Sequence, residues 1–299
     1  MRTDRQFFAA HVGDLVQEAI SFSQDFYDNT PVDPAPGSQA DREVNHHNEK
    51  GPDGPWGRQP VEDAYNIASM LYGGAKQYLH ALRQLLRDDI ALFGFQAVTR
   101  AGLEAAARSW WILDPDRSVR ERVERAYGER YYSLAELRKA TGAAGGELQR
   151  QVESESRLHI DVARLGLSER TDKSQPLGLA KGVGKGRPDS TDVVPELLAS
   201  VDIDQGEFWY RTFSGIIHSA LYAHAGYWQL VADPGSNGLR LAPQISPEPV
   251  GKAAVLLLSG YYAAIERHAT LYGRDSGPLR AERLSVTGRI TFALHLVKG

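Results

Sequence analysis

The chain contains no cysteine. That absence excludes disulfides, thiolate metal sites and a cysteine nucleophile at once. Long apolar runs are missing too. The longest, Ala253 to Ile265, is interrupted by Ser259 and Gly260 and is too short to span a bilayer. The opening Met1-Arg-Thr-Asp-Arg-Gln lacks the apolar stretch of a secretion signal, so a soluble cytoplasmic protein without membrane contact is expected. No large charge of one sign is present. With 34 basic and 38 acidic residues the net charge is -4, which offers no global field to nucleic acid. Any RNA or DNA contact would need a local basic patch. Neither a Gly-x-Ser-x-Gly elbow nor a His-Glu-x-x-His site occurs, and no cofactor or metal is expected. His46-His47 sits in a Pro/Gly-rich stretch and reads as a surface pair, while His268 near the end of an apolar helix suits a cation at a helix C-terminus.

What is present is helical periodicity over most of the 299 residues. Phe8, Val12, Leu15, Ala19 and Phe22 space a first helix over 5–28. Pro31 to Pro60, rich in Pro, Gly, Asp and Asn, reads as a long surface loop or linker. Residues 1–60 therefore form an N-terminal helix and linker, and 61–299 a helical bundle. Within the bundle, helices over 62–86 and 89–113 would make an antiparallel hairpin. Further helices follow from Asp116 to about Ala140 and from Gly145 to Leu165, with Asp116 as a cap. The glycines between Ser168 and Ser190 predict a mobile loop. Thr191 caps a short helix, Asp204 caps another, and Pro249 opens a nearly all-apolar helix ending at Gly273. Such a helix belongs at the centre of a bundle. For Arg283 to Lys298, helix and strand both remain open. Strand signals are otherwise scarce, so the fold class is all-α: a multi-helix bundle with long Pro/Gly-rich loops.

Two polar stripes stand out. On the helix after Asp204, Arg211 and His218 lie seven residues apart, almost two turns, and leave one side. Glu207, Ser214 and Ala225 share that stripe, and Trp209, Phe213, Ile216, Ala220 and Tyr227 oppose it. Small residues and Tyr222 lie on or beside the polar side, which suits a contact or a cleft as well as a solvated surface. The second stripe is Arg100, Glu104 and Arg108, successive at i, i+4, which reads as an intrahelical ladder or as a partly buried network. The loop Lys181-Gly-Val-Gly-Lys-Gly-Arg187 resembles a phosphate cradle, with Lys181, Lys185 and Arg187 as cations. It follows no expected strand and lacks the Gly-Lys-Ser/Thr ending of a P-loop, so a flexible basic loop is the plainer reading.

An Arg, four to six residues and a His late in an all-helical chain resembles the HEPN nucleases. Here the element is Arg211-Thr-Phe-Ser-Gly-Ile-Ile-His218, at the long end of that spacing. Arg100-Ala-Gly-Leu-Glu104 is similar to an Arg-x-x-x-Glu element of related helical proteins, and Tyr210, Ser214 and His218 to an aromatic, Ser, His series in them. Together these cover about a fifth of the chain. The resemblance implies metal-independent RNA cleavage, of a defence or toxin type, in a site formed by two subunits of a homodimer. His218 would act as acid or base, Arg211 would hold the phosphate, and Ser214 or Thr212 would orient them. Arg100, Glu104, Arg108, Tyr210 and Tyr222 would line or support the site. The acidic overall charge departs from that pattern. The alternative is a non-catalytic helical protein that binds a protein partner or small ligand through the same face.

Overall fold

A computed structural model describes residues 4–88, 94–144, 148–171, 180–184, 186–218, 228–232, 239–243 and 246–298. Ten helices and three short antiparallel hairpins make up these residues, so the fold is all-α. The helices are α1 (Asp4–Asp28), α2 (Gln39–His46), α3 (Gln59–Asp88), α4 (Gly94–Ile112) and α5 (Val119–Ala144). They continue as α6 (Leu148–Leu165), α7 (Ser190–Ala199), α8 (Gly206–Ile217), α9 (Pro247–Leu271) and α10 (Gly277–Lys298). Strands β1 (Lys50–Gly51) and β2 (Gly54–Pro55) pair, as do β3 (Glu169–Thr171) with β4 (Ala180–Val183) and β5 (Trp228–Ala232) with β6 (Leu239–Pro243). Among the described residues no helix is long and apolar enough to cross a membrane.

The apolar composition of α9 dictates its place. With side chains buried all round, it runs through the middle of the main core, against α1, α3, α4, α7 and α10. Its two buried tyrosines reach polar partners on α1, Tyr261 at Ser23 Oγ (3.0 Å) and Tyr262 at the Ala19 carbonyl (2.8 Å). Glycines permit the close crossing of α4 and α9. A Cβ on Gly102 would lie 2.5 Å from a Leu257 methyl, and one on Gly260 2.9 Å from a Leu103 methyl. The helix stops where Gly273 takes a left-handed φ of 70°, with Gly273 N–H donating to Thr270 and Arg274 N–H to Ala269.

A second core lies between α2, α5, α6 and the start of α3. The stretch expected as a linker supplies part of it. Ser38 Oγ caps α2, and Trp56, buried beyond the β1–β2 turn, donates from its indole to the Leu165 carbonyl at 2.9 Å. That stretch is therefore ordered and packed rather than a loop standing off the bundle. His47, half of the expected surface pair, bonds the Gly57 carbonyl at 2.8 Å and lies beside Trp56.

Several boundaries also move. Ser118, not Asp116, caps α5, because Ser118 and Glu121 form a reciprocal capping box (3.2 and 3.1 Å). The caps of α7 and α8 are Asp189 and Gln205 in place of Thr191 and Asp204, and α9 opens at Pro247 rather than Pro249. Arg283 to Lys298 is helix.

Candidate functional site

Helix α8 is short. Its apolar residues Tyr210, Phe213 and Ile216 are buried against α4 and α7, which leaves the opposite edge outside. Arg211 and His218 are both exposed on that edge, with Ser214 half-buried between them. The helix ends at Ile217 and His218 is its C-cap, so the stripe does not continue as helix through the cap. Ala220, Tyr222, Ala225 and Tyr227 lie outside the described residues. Arg211 Nε meets Glu207 Oε1 at 2.8 Å, with both side chains more than half exposed. Such a pair is weak and screened by salt. Thr212 spends its hydroxyl on the Phe208 carbonyl one turn back (2.9 Å). Beside these polar groups Phe208 and Ile217 are exposed.

The inner edge of α8 touches the second stripe. Tyr210 donates to Glu104 Oε1 at 2.7 Å, and Arg100 Nε lies 2.9 Å from the same oxygen. The Arg100 guanidinium also lies 5.8 Å from the centre of the Tyr210 ring. Burial pushes the Tyr210 hydroxyl pKa up, and the Glu104 carboxylate adds to it. Arg100 is partly buried, but its interactions with Tyr210 and Glu104 outweigh that cost and raise its pKa. Arg100, Glu104 and Tyr210 thus form one cluster that fixes α8 on α4.

Arg108 does not extend the ladder. It turns away to α5 and the loop before α7, fully buried, with Ser190 Oγ at 3.0 Å, the Pro188 carbonyl, and Glu129 at 3.7 Å. Glu129 is shared with Arg187, whose Nε lies 2.8 and 3.0 Å from its two oxygens. Arg187 stacks on the Tyr132 ring at 3.5 Å. Burial lowers the pKa of Arg108; Glu129 opposes this and Arg187 reinforces it.

The expected basic loop is thus held at its C-terminal end. Residues 180–183 are strand β4, and Gly184, with φ 57°, brings its N–H to the Ser168 carbonyl at 2.9 Å. A Cβ there would run into Glu124 Oε2 at 2.4 Å. Lys185 and the Lys181 side chain lie outside the described residues. Beside Arg187 opens a cleft of about 330 Å³ lined by Trp111, Arg117, Glu121, Glu124, Arg125 and Pro188, among others. Its cations and carboxylates alternate, so it is not a simple anion site. The Glu104 cluster and the Glu129 cluster follow one another along α4, through Arg100, Glu104 and Arg108.

Two polar clusters escaped the spacing rules. Tyr131, His159 and Glu169 meet from α5, α6 and β3, with His159 Nδ1 2.7 Å from Glu169 Oε1 and 3.2 Å from the Tyr131 oxygen. The pairing crosses from helix to hairpin, and no helical period encodes it. Glu43, Tyr65 and Arg122 form a buried set, with Tyr65 donating to Glu43 Oε2 at 2.8 Å and Arg122 Nε at 3.0 Å. Among the described residues no group of three His, Cys, Asp or Glu stands ready to hold a metal ion. No family model, curated protein or solved structure matches this chain.

Proposed function

We propose that the outer edge of α8 is an RNA-cleaving surface. His218 moves the proton of a ribose 2′-OH or of the leaving oxygen, and Arg211 binds the phosphate. The observation that carries this reading is the joint exposure of Arg211 and His218 on one edge of a helix whose other edge is anchored in the core. The Arg211–Glu207 pair is exposed and weak, so a phosphate can displace the carboxylate from the guanidinium. Ser214 lies between the two groups along the helix and would orient either. In this reading Lys181, Lys185 and the neighbouring backbone contribute contacts to the RNA strand. The overall charge of -4 makes such contacts local.

A second reading is favoured by Phe208 and Ile217, which are exposed on the same short helix. There the Glu207–Arg211 pair and the two apolar side chains would bind a protein partner or small ligand without catalysis. The experiment that separates the two is incubation with a mixed RNA pool in EDTA, comparing the wild type with His218→Ala of matched helicity. The nuclease reading expects cleavage by the wild type and a loss of at least 100-fold in the variant, the scale of a general acid or base. Silence from both proteins sinks cleavage of these substrates and leaves the binding reading.

A further inference from the structure

Away from α8, helices α1 and α10 lie side by side in opposite directions. Glu18 pairs with Arg289 (2.9 Å between Oε2 and one guanidinium nitrogen), and Phe7 stands beside the last turns of α10. Between them runs an open groove of about 770 Å³ whose lining includes Phe7, His11, Gly288, Phe292, Leu296 and Val297. Phe7 is 61%, Phe292 65% and Leu296 67% exposed, and Leu284 continues the face toward the start of α10. A contiguous apolar face of this kind marks an interaction site more often than bare surface.

Gly288 leaves the middle of this face open to a close approach. A glycine inside a helix weakens the helix relative to alanine. Here a Cβ would meet nothing within 4 Å, so no contact within the chain requires the missing side chain. The position leaves room for a helix arriving from outside to come close. If that helix is a second α10 running antiparallel across the first at Gly288, residue 288+n faces 288−n. Glycine then meets glycine, and each Phe292 meets the other copy's Leu284, because both lie four residues from the crossing point.

Charge and area fit the same occupant. Arg289 is the single Arg, Lys, Asp or Glu of the groove lining, and its own chain's Glu18 holds it, so two copies bury no unpaired charge against each other. A nucleic acid would find no uncommitted cation for its phosphates in that lining. Residues 284–297 rise about 20 Å, and two helices abreast are about 20 Å wide, so this face has a flat footprint of roughly 400 Å² per subunit. A stable interface covers about 800 Å² per partner, an apolar centre within a polar rim. Asp14, Glu18, Ser285, Thr291 and His295, all exposed, supply that rim.

We propose that this face joins two copies of the chain, α10 crossing its counterpart at Gly288. The proposal does not rest on the reading of α8. The test uses the absence of cysteine: Gly288→Cys carries a single thiol. At the crossing point the two thiols come within the separation of about 7 Å between Cα atoms that a disulfide tolerates. Mild oxidation is expected to convert Gly288→Cys to a covalent dimer while Met70→Cys, at a position on α3 that is 76% exposed, forms no covalent cross-link. In sedimentation the wild type is expected as a dimer, and Phe292→Glu as a monomer of unchanged helicity. A wild type that sediments as a monomer at every concentration overturns the proposal and gives the face to another partner. So does a Phe292→Glu dimer, or equal cross-linking of the two cysteine variants. Cross-linking at 288 together with silence toward RNA upholds this face and removes only the nuclease reading.

Discussion

Two histidines show how far a residue's surroundings reset its chemistry. His218 stands in solvent at the end of α8, while His268, three residues before the end of α9, is buried and stacks on Tyr272 at 4.2 Å. Tyr27 and Ser69 offer long contacts of 3.3 and 3.5 Å to its two nitrogens. Its position near a helix C-terminus suggests a cation. Desolvation wins instead, aided by Arg274, and lowers its pKa to about 3. The folded state therefore resists the proton that the unfolded chain accepts near pH 6.5. The resulting stability is complete above that pH and is lost as pH falls from there toward 3. Between pH 7 and pH 4 this amounts to roughly 3 kcal/mol. His268→Phe, which keeps a ring in the tyrosine box, is expected to remove most of that loss. Urea midpoints of the two proteins at pH 7 and pH 4 check it; parallel losses would show that His268 stays accessible to protons.

Elements follow from periodicity where one face dominates, and blur where two faces are apolar. Along α10 the buried residues are Leu279, Arg283, Val286, Ile290 and Leu294, spaced three and four apart as a packed helix requires. Leu284, Phe292, Leu296 and Val297 are exposed on the other side and obscure that period in the sequence. That is why helix and strand look equally open over 283–298. In the sequence the α4–α9 crossing shows only as two glycines, Gly102 and Gly260. Gly102→Ala is expected to cost about 1–3 kcal/mol, because its Cβ would meet Leu257 at 2.5 Å and Tyr78 Cβ at 2.9 Å in a filled core. A change of more than 0.5 kcal/mol in the stabilising direction, by thermal or urea unfolding, would show that the two helices do not close on each other there. The Arg100–Glu104 pair was readable from its i, i+4 spacing. Arg108 shares that spacing but takes its carboxylate from α5, which no local rule supplies.

At the scale of the whole molecule the stretch between α1 and α3 matters most. Glu43 on α2 receives Arg122 from α5 and Tyr65 from α3, all three buried, so one carboxylate ties this stretch to two helices. Glu43→Gln leaves the Arg122 guanidinium buried without its counter-charge, a change expected to cost about 3–5 kcal/mol. Urea unfolding measures the loss, and faster proteolysis within 31–58 locates it; unaltered stability would mean that Arg122 reaches water. The sequence by itself determined the helical class, the central place of α9 and the polar edge carrying Arg211 and His218. Those depend on the period of apolar residues, a local property of the chain. Tertiary structure alone decided that Arg187 is held by Glu129 and that residues 39–56 belong to a core. Each of these depends on a partner distant in sequence, and burial fixes the partner only when the helices meet.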